Sequence, residues 1–126
     1  MRKPDKTLTR HDLAIMKIVW RLGTATVRDV YEALRERRRI AYTTVMTVMN
    51  ILESKGYLKK ERAKDARAFR YRPAHPEQAV LTTMISDFVN RVFDGAAQPL
   101  LLHLVKGRRL SIKEREELLR LIKEAE

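Results

Sequence analysis

Cysteine is absent from the chain. That excludes disulfides, thiolate metal sites and cysteine nucleophiles, and it fits a cytoplasmic protein. Long apolar runs are missing too. The strongest, Leu100 to Val105 with His103 inside it, is far too short to cross a bilayer, so no membrane insertion is expected. The opening MRKPDKTLTR is charged, with no apolar segment behind it, and does not read as a signal peptide. His11, His75 and His103 stand apart, with no HxxxH spacing, so neither a metal nor a cofactor is expected. Paired carboxylates, a glycine-rich phosphate loop and a Ser/His/Asp constellation are all lacking in any supporting context, which argues against an enzyme. Internal repeats and low-complexity tracts are lacking as well.

What the chain does have is positive charge, concentrated at one end. Of its 126 residues, 1–73 carry 19 basic and 8 acidic side chains, whereas 74–126 carry eight of each. The whole net charge of +11 therefore lies in the first part. This is the electrostatic footprint of a polyanion-binding domain joined to a neutral partner-binding one. The length suits one compact domain with an extension.

Helix signals open the chain. Thr9 is placed to cap a first helix, with Asp12 three residues on, an imperfect capping box because Asp stands where Glu or Gln is usual. Leu13, Ile15, Met16, Val19 and Trp20 supply its apolar face, and Gly23 closes it. Thr26 and Asp29 open a second helix, whose Val27, Val30, Tyr31 and Leu34 face inward and which runs into Arg37-Arg38-Arg39.

The stretch AYTTVMTVMNILESKGYLKKERAKDARAFRYR, residues 41–72, is the most informative. Its β-branched residues invite a strand, but Val45, Val48, Met49 and Leu52 recur at helical spacing and Lys55-Gly56 ends the pattern, so a third helix is expected. Its opposite side presents Thr43, Thr47, Asn50 and Ser54, flanked by Thr44, Met46 and Ile51. Threonine meets base edges and thymine methyls, and asparagine pairs bidentately with adenine, so this helix, from Tyr42 to Ser54, is the candidate reader of bases. A turn-like segment at 63–66 then joins two short runs into a basic hairpin. There Phe69 and Tyr71 alternate with Arg70 and Arg72 as in a half-buried strand. Arg62, Lys64, Arg67, Arg70 and Arg72 are placed to contact phosphate or reach the minor groove. Such a charged edge also blocks unwanted strand pairing.

The expected fold class is mainly α with a small β-hairpin. It comprises a winged helix-turn-helix DNA-binding domain over residues 1–74 and a helical dimerisation region over 75–126. Pro73 and His75-Pro76 mark the boundary, and Pro76 opens a fourth helix. Further helices are expected over Pro99–Lys106 and, capped by Ser111 and Glu114, through Glu124. The candidate dimerisation residues are Leu81, Met84, Ile85, Phe88, Val89, Val92 and Phe93, then Leu101, Leu104, Leu118 and Ile122. A stretch of this length falls below the roughly 60 residues at which self-contained cores become marginal, so sharing its apolar surface with a second copy is expected. A homodimer would give two reading heads about one turn of duplex apart, matching a palindrome.

The blocks LTRHDLAIMKIVW, TATVRDVYEAL and AYTTVMTVMNILESKGYLKKE, in that order, resemble the penicillinase-repressor family of bacterial transcriptional regulators (BlaI/MecI type, with copper-responsive CopY relatives). The resemblance runs from Leu8 to about Ile122. It implies repression by a homodimer at palindromic double-stranded operator DNA, with Thr43, Thr44, Met46, Thr47 and Asn50 at recognition-helix positions. Copper-responsive relatives end in a cysteine-rich motif, which this chain lacks. In the β-lactam-responsive relatives a membrane sensor-protease drives a cut in the C-terminal helical region. The corresponding place here is near His103-Leu104, within residues that differ from the staphylococcal Asn-Phe junction. Two other readings stay open: a winged-helix module that meets protein or RNA, and a repressor answering to a small molecule at the dimer interface.

Overall fold

The computed structural model describes residues 7–62, 68–107 and 110–125. Three helices, α1 (Arg10–Leu22), α2 (Val27–Arg35) and α3 (Tyr42–Lys55), precede a two-stranded antiparallel hairpin of β1 (Leu58–Arg62) and β2 (Phe69–Pro73). Helices α4 (Glu77–Phe93), α5 (Ala97–Gly107) and α6 (Ile112–Ala125) follow. The chain separates into two compact units that divide between Thr82 and Thr83. The first is a winged helix-turn-helix, as the residue pattern predicts.

Its helices begin where side chains replace missing backbone partners. Thr9 Oγ1 accepts from the Asp12 N–H at 3.1 Å, and Asp12 Oδ2 accepts from the Thr9 N–H at 2.9 Å. Thr26 and Asp29 repeat the arrangement at 3.1 and 3.0 Å. The capping box expected to be imperfect is therefore complete, because the shorter aspartate still reaches the backbone one turn back. The second helix stops at Arg35, short of the arginine block. The Leu34 carbonyl accepts from the N–H groups of both Arg37 and Arg38 at 3.0 Å, which turns the chain.

In α3 the helical period prevails over β propensity. Val45, Met49 and Leu52 are fully buried against Ile15, Met16, Val19 and Val30 in the core of the first unit. Gly56, at φ 92 and ψ 12, ends the helix in the left-handed region. The Tyr57 N–H donates back to the Leu52 carbonyl at 2.9 Å, directing the chain into β1.

Two tertiary contacts lock this unit. Asp12, only 4% exposed, receives the Lys55 ammonium at 2.8 Å, joining the start of α1 to the end of α3. Burial by itself would raise the Asp12 pKa. The bonds from Lys55 and Thr9, with the charge of Lys55, outweigh it and hold the carboxyl below its ordinary value. The Trp20 indole N–H donates to the His75 carbonyl at 3.0 Å, fastening the segment after the hairpin to α1.

In the second unit, α5 starts at Ala97, two residues before the expected Pro99. A proline is tolerated in a first turn because its missing N–H has no helical partner there. Ser111 and Glu114 form a complete capping box for α6. Among the described residues of this unit none is buried, and Ile85, Phe88, Val92, Leu101, Leu104 and Ile122 are all exposed. Leu81, Met84, Val89, Phe93 and Leu118 are half-buried. No helix among the described residues is long and apolar enough to cross a membrane.

Candidate nucleic-acid interface

Burying Val45, Met49 and Leu52 turns the other side of α3 outward. Tyr42, Thr43, Thr44, Met46, Thr47 and Asn50 are all exposed, so the expected reading residues share one accessible face. Ile51, at 44% exposure, lies on its flank. The helix begins at Ala41 with no side-chain cap, unlike α1, α2 and α6. The Thr44 N–H donates to the Ala41 carbonyl at 3.1 Å, and the N–H groups ahead of it, with the positive end of the dipole, are left for solvent or an anionic partner.

Beside that end lies a cluster that the sequence pattern did not point to. The rings of Tyr31 and Tyr42 meet edge-on, with centroids 5.5 Å apart. Arg28 lies over Tyr42 at 5.6 Å and Arg35 over Tyr31 at 5.5 Å. Glu32 sits between the two guanidinium groups, 3.6 Å from Arg28 and 3.5 Å from Arg35. Stacking on an aromatic face orients an arginine while leaving it wet. One signal was available: Arg28, Tyr31, Glu32 and Arg35 fall on one surface of α2 at spacings of three and four.

The hairpin supplies the second basic surface. Its register pairs Lys60 with Tyr71, Glu61 with Arg70 and Arg62 with Phe69. Tyr71 is buried, but Phe69, on the same side of β2, is 41% exposed. The expected alternation therefore holds at only one aromatic, because at Phe69 the hairpin has run past the helical core. Cations cover the outer ring instead, Lys60 at 4.2 Å and Arg62 at 5.1 Å. Arg72 pairs with Glu61, which answers part of its charge within the wing. Arg70 is exposed. Lys64, Arg67 and the expected turn at 63–66 lie outside the described residues.

The helix and hairpin surfaces meet at Asn50. Its Oδ1 accepts from the Tyr71 hydroxyl at 2.9 Å and from the Lys60 ammonium at 3.5 Å. The structure thus brings the basic hairpin onto the C-terminal half of the exposed α3 face.

Residues 8–124 match the model of the family described as penicillinase repressor. The chain belongs to that family. Among its relatives is the transcriptional regulator BlaI of Mycobacterium tuberculosis, 38% identical over 115 residues, covering 90% of this chain and 80% of the relative. The methicillin resistance regulatory protein MecI of Mammaliicoccus sciuri is 29% identical, covering 82% of this chain and 83% of the relative. A solved neighbour is the Bacillus licheniformis BlaI monomeric form in complex with the blaP half-operator. It is 26% identical, with a TM-score of 0.50, over 62% of this chain and 92% of its own. The family's relatives are thus described as regulators rather than enzymes.

Proposed function

We propose that the protein is a cytoplasmic transcriptional repressor that binds palindromic operator DNA as a homodimer. The observation that carries this reading is the exposed α3 face: small polar and apolar groups suited to base edges, flanked by cationic surfaces on α2 and the hairpin. Tyr42, Thr43, Thr44, Met46 and Thr47 face the major groove, with Asn50 completing the face. Arg62, Lys64, Arg67 and Arg70, joined by Arg28, hold phosphate. The half-operator complex of the 26% identical relative supports a duplex-DNA partner.

The homodimer reading rests on the second unit, which exposes Ile85, Phe88, Val92, Leu101, Leu104 and Ile122. Apolar surface on that scale is normally covered by a partner. The half-buried Met84, Val89, Phe93 and Leu118 of the same unit, and Leu81 one turn earlier on α4, are the remaining dimerisation candidates. Repression then follows from promoter occupancy, and induction from loss of dimerisation. A cut near His103-Leu104, both exposed on α5, by a membrane sensor-protease is the proposed route. Incubation with such a protease that leaves residues 95–110 intact refutes that route.

The function itself is tested by fluorescence anisotropy on DNA from upstream of the protein's own operon, at several salt concentrations. Preference over competitor duplex is expected, and its absence refutes the repressor reading. Light scattering distinguishes a homodimer from the monomer or heteromer that a protein- or RNA-binding module would form.

A further inference from the structure

Tyr71 is where the hairpin is held to the rest of the first unit. Its N–H donates to the Ala25 carbonyl at 2.8 Å, and its carbonyl accepts from the Ala25 N–H at 2.9 Å. One edge of β2 is thereby bridged to the α1–α2 connection, while β1 pairs along the other. The Tyr71 side chain is 2% exposed, and its hydroxyl reaches α3 to donate to Asn50 Oδ1 at 2.9 Å. Lys60, the cross-strand partner of Tyr71, directs its ammonium to the same oxygen at 3.5 Å while lying over the Phe69 ring.

These contacts define which way the amide points. A lysine ammonium only donates, so the acceptor end of Asn50 must face it; the flipped amide would set two donor groups against each other. Bidentate recognition of adenine requires that same oxygen to accept from N6 while the NH2 group donates to N7. In this protein that oxygen already accepts from the Tyr71 hydroxyl at 2.9 Å, with the exposed Lys60 ammonium at the outer limit of hydrogen-bonding distance, 3.5 Å.

We infer that Asn50 is a positioning residue rather than a reader of adenine. It ties the recognition helix to the wing, so that the threonines of α3 and the arginines of the hairpin meet one duplex at a set spacing. What is positioned rests on the DNA-binding reading above, but the tie itself belongs to the free protein. The two are separable by experiment.

Hydrogen exchange of the β1 and β2 amides in the DNA-free protein tests the tie directly. A net contribution of about 1 kcal/mol for such a bond corresponds to roughly fivefold faster exchange in Asn50→Ala and Tyr71→Phe. Asn50→Asp, which keeps the acceptor oxygen, is expected to restore wild-type protection. Unchanged hairpin exchange in Asn50→Ala and Tyr71→Phe overturns the inference. On a panel of operators with single base-pair replacements, Asn50→Ala and Tyr71→Phe are expected to weaken every duplex alike, and the double variant to bind no worse than either single one. If Asn50→Ala loses discrimination at one base pair while Tyr71→Phe binds as wild type, Asn50 is a base reader and the inference fails. If the wild-type protein shows no sequence preference, the repressor reading fails and the exchange measurement alone decides the tie.

Discussion

Replacing Lys55 by methionine isolates the contact between the two ends of the helical core. The substitution keeps most of the aliphatic stem and removes the ammonium that lies 2.8 Å from Asp12 Oδ2. Their side chains are only 16% and 6% exposed, so solvent screens the pair weakly. A hydrogen bond to a charged group contributes about 1.5–3 kcal/mol. Stripping a buried pair of one partner costs roughly 3–5 kcal/mol. Asp12 keeps its two bonds with Thr9, which places the expected loss toward the lower figures, about 2–3 kcal/mol at pH 7. For a unit of this size that lowers Tm by roughly 10–20 °C.

The pH dependence follows from the depressed Asp12 pKa. A group depressed on folding stabilises the native state above its unfolded pKa, and that contribution is lost as pH falls through the folded pKa. The Lys55→Met penalty should therefore be fullest near neutrality and shrink in the acid range. Without Lys55 the folded-state pKa of Asp12 should rise, since only its bonds with Thr9 then oppose burial, so acidification should cost the variant less stability than it costs wild type. Adding Asp12→Asn to Lys55→Met should recover part of the loss, because no buried charge is then left unpaired. Urea unfolding followed by circular dichroism from pH 7 to pH 3, at one protein concentration, measures all of this. A Lys55→Met variant within about 0.5 kcal/mol of wild type at pH 7, or a penalty that does not change on acidification, would refute the reasoning.

Other outcomes bear on the interface. Arg70→Ala should weaken binding to all duplexes similarly and reduce the slope of log affinity against log salt by about one, as loss of a single phosphate contact does. Thr47→Val keeps the shape and one methyl but removes the hydroxyl. It should cost about 1 kcal/mol of preference at one base pair, in competition against single-replacement operators, with little effect on nonspecific affinity. Phe88→Glu puts a charge on the exposed α4 surface. It should give a monomer by sedimentation and weaken operator binding while leaving the thermal unfolding of the first unit unchanged.

Much of this protein was legible in its residues because the relevant forces are local or periodic. Thr9 with Asp12 and Thr26 with Asp29 satisfy helix starts across three residues, so their spacing announces them. Val45, Met49 and Leu52 mark the buried stripe of α3 and thereby expose Thr43 and Thr47 on the other side. The charge division is likewise a matter of counting. The Tyr31–Tyr42 pair with its two arginines was harder to see, because one ring lies on α2 and the other opens α3.

The sequence alone thus determined the winged helix, its family, the face of α3 that points outward and the confinement of net positive charge to the first part. Only the tertiary structure decided that Asp12 does more than cap a helix, since its partner Lys55 lies 43 residues away along the chain. It also decided that the Asn50 amide oxygen is engaged by the hairpin. A residue's type and period determine which side of a helix it occupies. What it touches there depends on where the chain returns, and the return of β2 to Ala25 carries the Tyr71 hydroxyl to Asn50.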